Sequence, residues 1–213
     1  MSDGRAAPGA AYRPGRPRRA VGGGVRYALD QHGDRVESAP GLRAICPCCE
    51  APVIAKCGDI LTWHWAHMSI EDCDPWAEPN NEWHRGWQML VPPDRREVRI
   101  GKHRADMLTR SGRVIELQDS YLPPTEIRVR EHHYGNMLWI FNAIEPYAND
   151  RLLIRPRDGY VSFRWKQPRK SLAWCQRPVL LDIGYGQLLH VKKIHTEAPC
   201  GGWGRIITLD GAL

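Results

Sequence analysis

Asp106, Glu116 and Gln118 stand on either side of a short turn, in the stretch His103-Arg104-Ala105-Asp106-Met107-Leu108-Thr109-Arg110-Ser111-Gly112-Arg113-Val114-Ile115-Glu116-Leu117-Gln118. A three-residue loop of Arg110, Ser111 and Gly112 suits a hairpin here, because that class wants glycine in the left-handed position at its end. This register sets Asp106 across from Glu116, and strand alternation puts Gln118 on the same face. Ile115 and Leu117 then point the other way, towards a core. A two-residue loop would split Asp106 from Glu116, so the pairing depends on the register. Carboxylates side by side repel unless a positive charge sits between them. Mg²⁺ or Mn²⁺ does that, held by one or two carboxylates plus water and substrate phosphate. Such an ion lowers the pKa of a bound water and stabilises charge on a phosphodiester. The competing reading of the same spacing is a solvent-facing hairpin with scattered charges.

A second constellation lies upstream. Cys46, Cys48, Cys49 and Cys57 crowd into twelve positions, and Cys73 follows. Cys46 and Cys49 form a C-x₂-C pair able to offer two thiolates to one tetrahedral Zn²⁺. Four of Cys46, Cys49, His64, His67 and Cys73 would complete the site, with Cys46, Cys49 and His67 the first choices, then Cys73, then His64. A set of mostly Cys and His with no open position is structural rather than catalytic. In a module with so few apolar residues, the ion supplies much of the folding energy. Cys48 and Cys57 read as bystanders. The plainer reading is free buried cysteines beside unrelated histidines. Trp63, Trp65, Trp76, Trp83 and Trp87 are dense in this region. Tryptophan stacks on unpaired bases, but these spacings suit packing between the module and the helix that follows.

The surrounding elements must hold these groups. Short strands are expected at Val25–Leu29, Pro52–Ala55 and Leu61–Trp65, and Pro75 and Pro79 mark a linker. A helix from about Asn81 to Leu90 has Asn80 or Asn81 as cap, Glu82 in the first turn, and Trp83, Trp87 and Leu90 on one face. Pro92-Pro93 stop it. Strands follow at Glu97–Ile100, His103–Leu108 and Val114–Gln118, then a helix at Pro124–Tyr134 capped by Thr125, then a buried strand at Met137–Phe141. This order describes an α+β or α/β mixed sheet with helices on it. From about residue 151 the pattern is β-rich, with strands at Tyr160–Trp165, Pro178–Ile183, Leu188–Ile194 and Arg205–Leu209. The division is therefore a basic tail over 1–24, a Cys/His module over 25–78, a core over 79–150 and a β-rich appendage over 151–213.

With 213 residues, the chain makes one ordinary domain or a small module plus a larger one. Its ordinary charged fraction and adequate apolar content imply a soluble globular protein. No apolar run is long enough to span a bilayer, and no apolar leader opens the chain, so the expected location is the cytoplasm, with no membrane partner. Seven cysteines in that compartment argue against a disulfide framework. The net charge of +6 hints at nucleic acid, but residues 1–24 carry +4 of it, so the site residues are the stronger argument. Oligomeric state is not legible.

The segments Trp63-His64-Trp65-Ala66-His67, Glu82-Trp83-His84-Arg85, His103-Arg104-Ala105-Asp106 and Ile115-Glu116-Leu117-Gln118-Asp119-Ser120, in this order, resemble the competence protein CoiA-like nuclease family, part of the PD-(D/E)XK superfamily. The resemblance runs from about Ile45 to Ile140. It implies a restriction-endonuclease-like core acting on DNA, with a zinc-ribbon-like N-terminal module. It makes Asp106 and Glu116 the metal ligands. Gln118 stands where the wider superfamily has lysine; an amide orients water without adding charge. Glu82 matches an additional acidic residue, close to the metal or behind its ligands. His84 would touch phosphate or move a proton, and Ser120 and Arg130 are further candidates for phosphate, each with an ordinary structural role as the competing reading. The expected activity is Mg²⁺-dependent DNA cleavage in uptake, recombination, mobile-element or defence processing. The rival is a protein that binds nucleic acid through a degenerate core without cutting it; a third reading, a zinc-stabilised protein–protein adaptor, predicts no nucleic-acid affinity.

Overall fold

The computed structural model describes residues 24–60, 62–68, 73–76, 81–195, 197 and 199–209. Residues 1–23 of the expected tail, Pro79 and Asn80 lie outside them. Five strands form a first sheet: β1 (Tyr27–Leu29), β2 (Arg35–Glu37), β3 (Arg43–Ile45), β4 (Pro52–Lys56) and β5 (His64–His67), in the order β2-β1-β3-β4-β5. Every pairing in it is antiparallel. Trp65 is fully buried among Val25, Ala28, Ala44, Cys46 and Val53, and its indole N–H donates to the Val36 carbonyl at 3.0 Å. One large aromatic thus closes a core that short polar strands could not fill by themselves.

The second sheet has nine strands. In chain order its elements are α1 (Glu82–Gln88), β6 (Arg96–Ile100), β7 (His103–Leu108), β8 (Val114–Gln118), α2 (Pro124–Tyr134), β9 (Met137–Asn142), α3 (Ile144–Ala148), β10 (Leu152–Arg157), β11 (Tyr160–Trp165), β12 (Val179–Gly184), β13 (Gln187–His195) and β14 (Gly201–Thr208). The strand order is β10-β11-β14-β13-β12-β9-β8-β7-β6. β9 runs parallel to both β8 and β12, and the remaining neighbours are antiparallel. A strand between two parallel neighbours with both faces covered needs an unbroken apolar run, which Met137-Leu138-Trp139-Ile140-Phe141 supplies. The region from residue 151 is therefore not an appendage. β12 pairs Val179 with Trp139 and Leu181 with Phe141, so the sheet continues across residue 150.

Asn81 caps α1 by accepting from the His84 amide at 2.9 Å. The helix ends at Gln88, two residues short of Leu90, which is exposed. α2 keeps its expected bounds, but Pro123 rather than Thr125 is its cap residue; Pro124 at the first position presets the helical φ and has no N–H to satisfy. Trp87 of α1 packs with Met107, Ile115, Leu117, Ile140 and Leu180, and Ile127 of α2 with Val114, Trp139, Phe141 and Leu181, in two separate cores. The helices thus lie on opposite faces of the sheet.

Two acidic side chains pin this arrangement. Asp182 Oδ2 accepts both the Trp83 and Trp87 indole N–H groups, at 2.8 and 2.9 Å, and Oδ1 accepts the Gly184 amide at 2.9 Å. Glu131 of α2 accepts from the Trp139 indole at 3.0 Å and from the Gln176 and Arg177 amides at 2.9 Å. Removing a buried acceptor strands its donors. Asp182→Ala should lower the free energy of unfolding by about 2–3 kcal/mol, measured by urea denaturation, with Asp182→Asn less severe because its amide oxygen still accepts. An unchanged midpoint in Asp182→Ala would show that the two indoles do not anchor α1.

Candidate metal centres

Cys46 directly follows β3, Cys49 lies in the tight turn to β4, His67 closes β5, and Cys73 lies beyond it. Their ligand atoms all come within 4.8 Å of one another. Cys46 Sγ is 3.8 Å from Cys73 Sγ, and Cys49 Sγ is 3.3 Å from His67 Nε2. A tetrahedron with Zn–S bonds of about 2.3 Å has edges of about 3.8 Å, and a nitrogen ligand shortens them. The four groups thus fit zinc in distance and in chemistry. The hydrogen bond between the two thiols holds Cys46 down, at about 4. Hydrogen bonding to the Cys46 thiolate pushes Cys73 up. A divalent cation relieves that conflict by stabilising both thiolates.

His64, the fifth candidate, is not part of the cluster. Side chains alternate along β5, so His64 and His67 point to opposite faces. His64 Nδ1 lies 2.8 Å from the Thr62 carbonyl, and its ring packs so tightly on Gly24 that a Cβ there would come within 2.2 Å of it. Cys48 Sγ faces the Lys102 carbonyl at 3.6 Å, outside the ligand set.

The module is tied directly to the large sheet. Asp74, next to Cys73, is buried and accepts from His103 Nδ1 at 2.8 Å and from the Arg104 amide at 2.7 Å. Trp76 stacks on the His103 ring with centroids 3.2 Å apart. The dense tryptophans of this region serve packing at Trp65, Trp76 and Trp87, all buried, whereas Trp63 is exposed.

The hairpin carrying the carboxylates has the three-residue loop. Thr109 N donates to Arg113 O at 2.9 Å, Gly112 has φ 77°, and Met107 pairs with Ile115 and Leu108 with Val114. The next position of that register sets Asp106 opposite Glu116. There the side chains take over from the ladder: Leu117 N donates to Asp106 Oδ2 at 2.8 Å, and Asp106 N to Glu116 Oε1 at 3.4 Å. Glu116 is only 2 % exposed and faces α2, where Arg130 Nη1 donates to its Oε2 at 2.9 Å. Arg130 also donates to Glu126 at 2.7 Å and to the Trp76 carbonyl at 3.1 Å. It is thus buried among Glu116, Glu126 and the Trp76 carbonyl.

Burial first, and the nearby Asp106 charge second, push Glu116 up to about 8, against the pull of Arg130. The Asp106–Glu116 pair therefore favours holding a proton, with which any cation bound there would have to compete. The fold favours the protonated form, so this contribution to stability is complete below about pH 4.5 and is lost as pH rises through about 8. In zinc-loaded, magnesium-free protein, stability should fall between those limits more steeply in wild type than in Glu116→Gln. Urea midpoints across the range would show it, and parallel profiles would count against the raised value.

Gln118 is fully buried, and its amide nitrogen donates to the Ser120 carbonyl at 3.2 Å and faces Ser120 Oγ at 3.3 Å. The structure brings Glu82 and His84 elsewhere. Glu82 is exposed and lines a cavity of about 440 Å³ with Arg26, Glu37, Asp59, Trp63 and Arg85. The buried His84 ring bridges the Asn81 side chain, 3.2 Å away, and the Leu117 carbonyl, 3.0 Å away. It ties β8 to α1. Arg169, which sequence reasoning missed, donates to the Gln118 carbonyl at 3.0 Å and lies 3.9 Å from Asp119. Only the fold brings it there, from a loop between β11 and β12.

Residues 42–75 match the family described as competence protein CoiA, N-terminal domain. All four cluster residues fall inside that segment. No match was found among curated proteins or among solved structures. No helix among the described residues is long and apolar enough to cross a membrane.

Proposed function

We propose that this chain is a metal-dependent nuclease that hydrolyses DNA phosphodiesters, acting in competence-related DNA handling or in mobile-element or defence processing. The observation that carries the reading is the juxtaposition of Asp106 and Glu116 across the β7–β8 hairpin. The sequence α1-β6-β7-β8-α2-β9, with β9 parallel to β8, supports it as a restriction-endonuclease-type core. The CoiA N-terminal match over 42–75 and the resemblance of the segments around Asp106 and Glu116 point the same way.

Asp106 and Glu116 would hold Mg²⁺ or Mn²⁺. When bound, that ion supplies a lowered pKa for the attacking water and positive charge against the phosphodiester. The chain's own groups prepare the site. The Leu117 amide fixes the Asp106 carboxylate, and Arg130 fixes that of Glu116. Gln118, anchored through Ser120, offers hydrogen bonding without charge. The neutral amide is also what favours the second reading, a core that binds nucleic acid without cutting it. Cleavage of single-stranded and duplex DNA with Mg²⁺, with Mn²⁺ or with neither distinguishes them. Metal-dependent products support the nuclease; metal-independent binding with no products leaves the binding protein.

A further inference from the structure

The side of the nine-stranded sheet that carries α1 is only partly covered. α1 packs over β12 and β13 at Leu180 and Leu188, and beyond it the sheet is open. Alternation assigns the open positions. Leu152, Ile154, Phe163 and Trp165 face the opposite core, so Arg155, Arg157, Tyr160, Ser162 and Arg164 face outward. Ser162 pairs with Trp203, and Trp203 with Lys193, which brings β14 and β13 into the same surface.

That surface is basic. No ion pair among the described residues involves Arg155, Arg157, Arg164, Lys193 or Arg205. Partial burial, together with Lys192 and Arg205, lowers the pKa of His190 at its border. The surface is also aromatic: Tyr160 and Trp203 are 43 % and 41 % exposed, with ring centroids 6.0 Å apart at 78°. A furrow of about 300 Å³ runs beside them, lined by Arg155, Arg157, Ser162, Arg164 and His195. Gly201 lies on its floor at an outward position and contributes no side chain.

Exposed aromatic rings on an open sheet, bordered by cations, match what unpaired bases require: a stacking surface for the base and a counter-charge for the phosphate. Duplex recognition would instead place a helix or ribbon in a groove. Four strands span about 14 Å, room for a few nucleotides. We propose that this face binds single-stranded nucleic acid, with bases stacked on Trp203 and Tyr160 and phosphates held by Arg155, Arg157, Arg164 and Lys193. It shares its ligand class with the nuclease reading and deepens it by naming the strand form, but it rests on residues outside the carboxylate site.

The test is fluorescence anisotropy of labelled oligo-dT, a matched duplex and poly-glutamate, without Mg²⁺ so that cutting plays no part. Oligo-dT should bind more tightly than either competitor and quench Trp fluorescence. The double variant Arg155→Glu/Arg164→Glu should weaken binding at least about tenfold and flatten its salt dependence, since each phosphate contact contributes a slope of about 0.7. Trp203→Ala should weaken it by about tenfold, and Trp203→Phe should restore most of it. Equal binding of duplex or poly-glutamate, or wild-type affinity in the folded double variant, would overturn the proposal. Loss of cleavage in Asp106→Asn with oligo-dT binding intact would leave it standing.

Discussion

Replacing Cys49 or Cys73 with serine should release the zinc and unfold the five-stranded module. The module's core is one tryptophan and a few smaller residues, so a zinc ion held by the cluster would supply much of its stability. Structural zinc in small modules contributes roughly 10–16 kcal/mol to folding, and a missing thiolate removes a large part of that. Metal analysis should fall from one zinc per chain to near zero. Limited proteolysis should then open the segment between Gly24 and Trp76 first. Cys48→Ser and His64→Ala remove groups outside the ligand set and should keep the metal. Because Asp74 and Trp76 grip β7 and α2, the damage should spread to the hairpin. Full zinc in the Cys73 variant would mean that the cluster is not the site.

If the chain is the proposed nuclease, Asp106→Asn and Glu116→Gln should each reduce metal-dependent cleavage at least about a hundredfold, because a metal ion at the scissile phosphate would lower the barrier by several kcal/mol. The choice of substitution matters at Glu116. Alanine there would leave the buried Arg130 guanidinium with one acceptor fewer, a loss of about 1–3 kcal/mol in stability that would mimic a catalytic defect. Glutamine keeps an acceptor for Arg130 and separates the two effects. Cleavage rates should be compared beside urea midpoints for the same preparations. Wild-type cutting by a folded Asp106→Asn variant would remove this pair from the chemistry.

Local signals made several parts readable from sequence. Gly112 fixed the loop length, and with it the register that sets Asp106 opposite Glu116. Four of the five proposed zinc ligands come together, and the alternation of β5 excludes the fifth, His64. α2 was legible because Pro123-Pro124 opens it and Gly135 closes it. The rest depended on distance along the chain. β2 and β3 are three-residue strands in polar sequence, and β10 contains Pro156, tolerated only because β10 is the sheet edge. Asp182 meets the indoles of Trp83 and Trp87 from more than ninety residues away, a partnership that no local pattern signals. Glu82 is a candidate through the family resemblance, yet it lines a separate cavity.

The parallel pairing of β9 with β12 also orders events in time. Met137–Asn142 presents its apolar run to β8 as soon as the hairpin forms, but its other edge has no partner until Val179–Gly184 has been synthesised. During that interval the nascent chain exposes an unpaired, hydrophobic strand edge, the kind of template on which chains join one another. Residues 151–178 must therefore pass through the ribosome while β9 is still open on one side. The yield of folded protein should be limited by how long that edge stays uncovered.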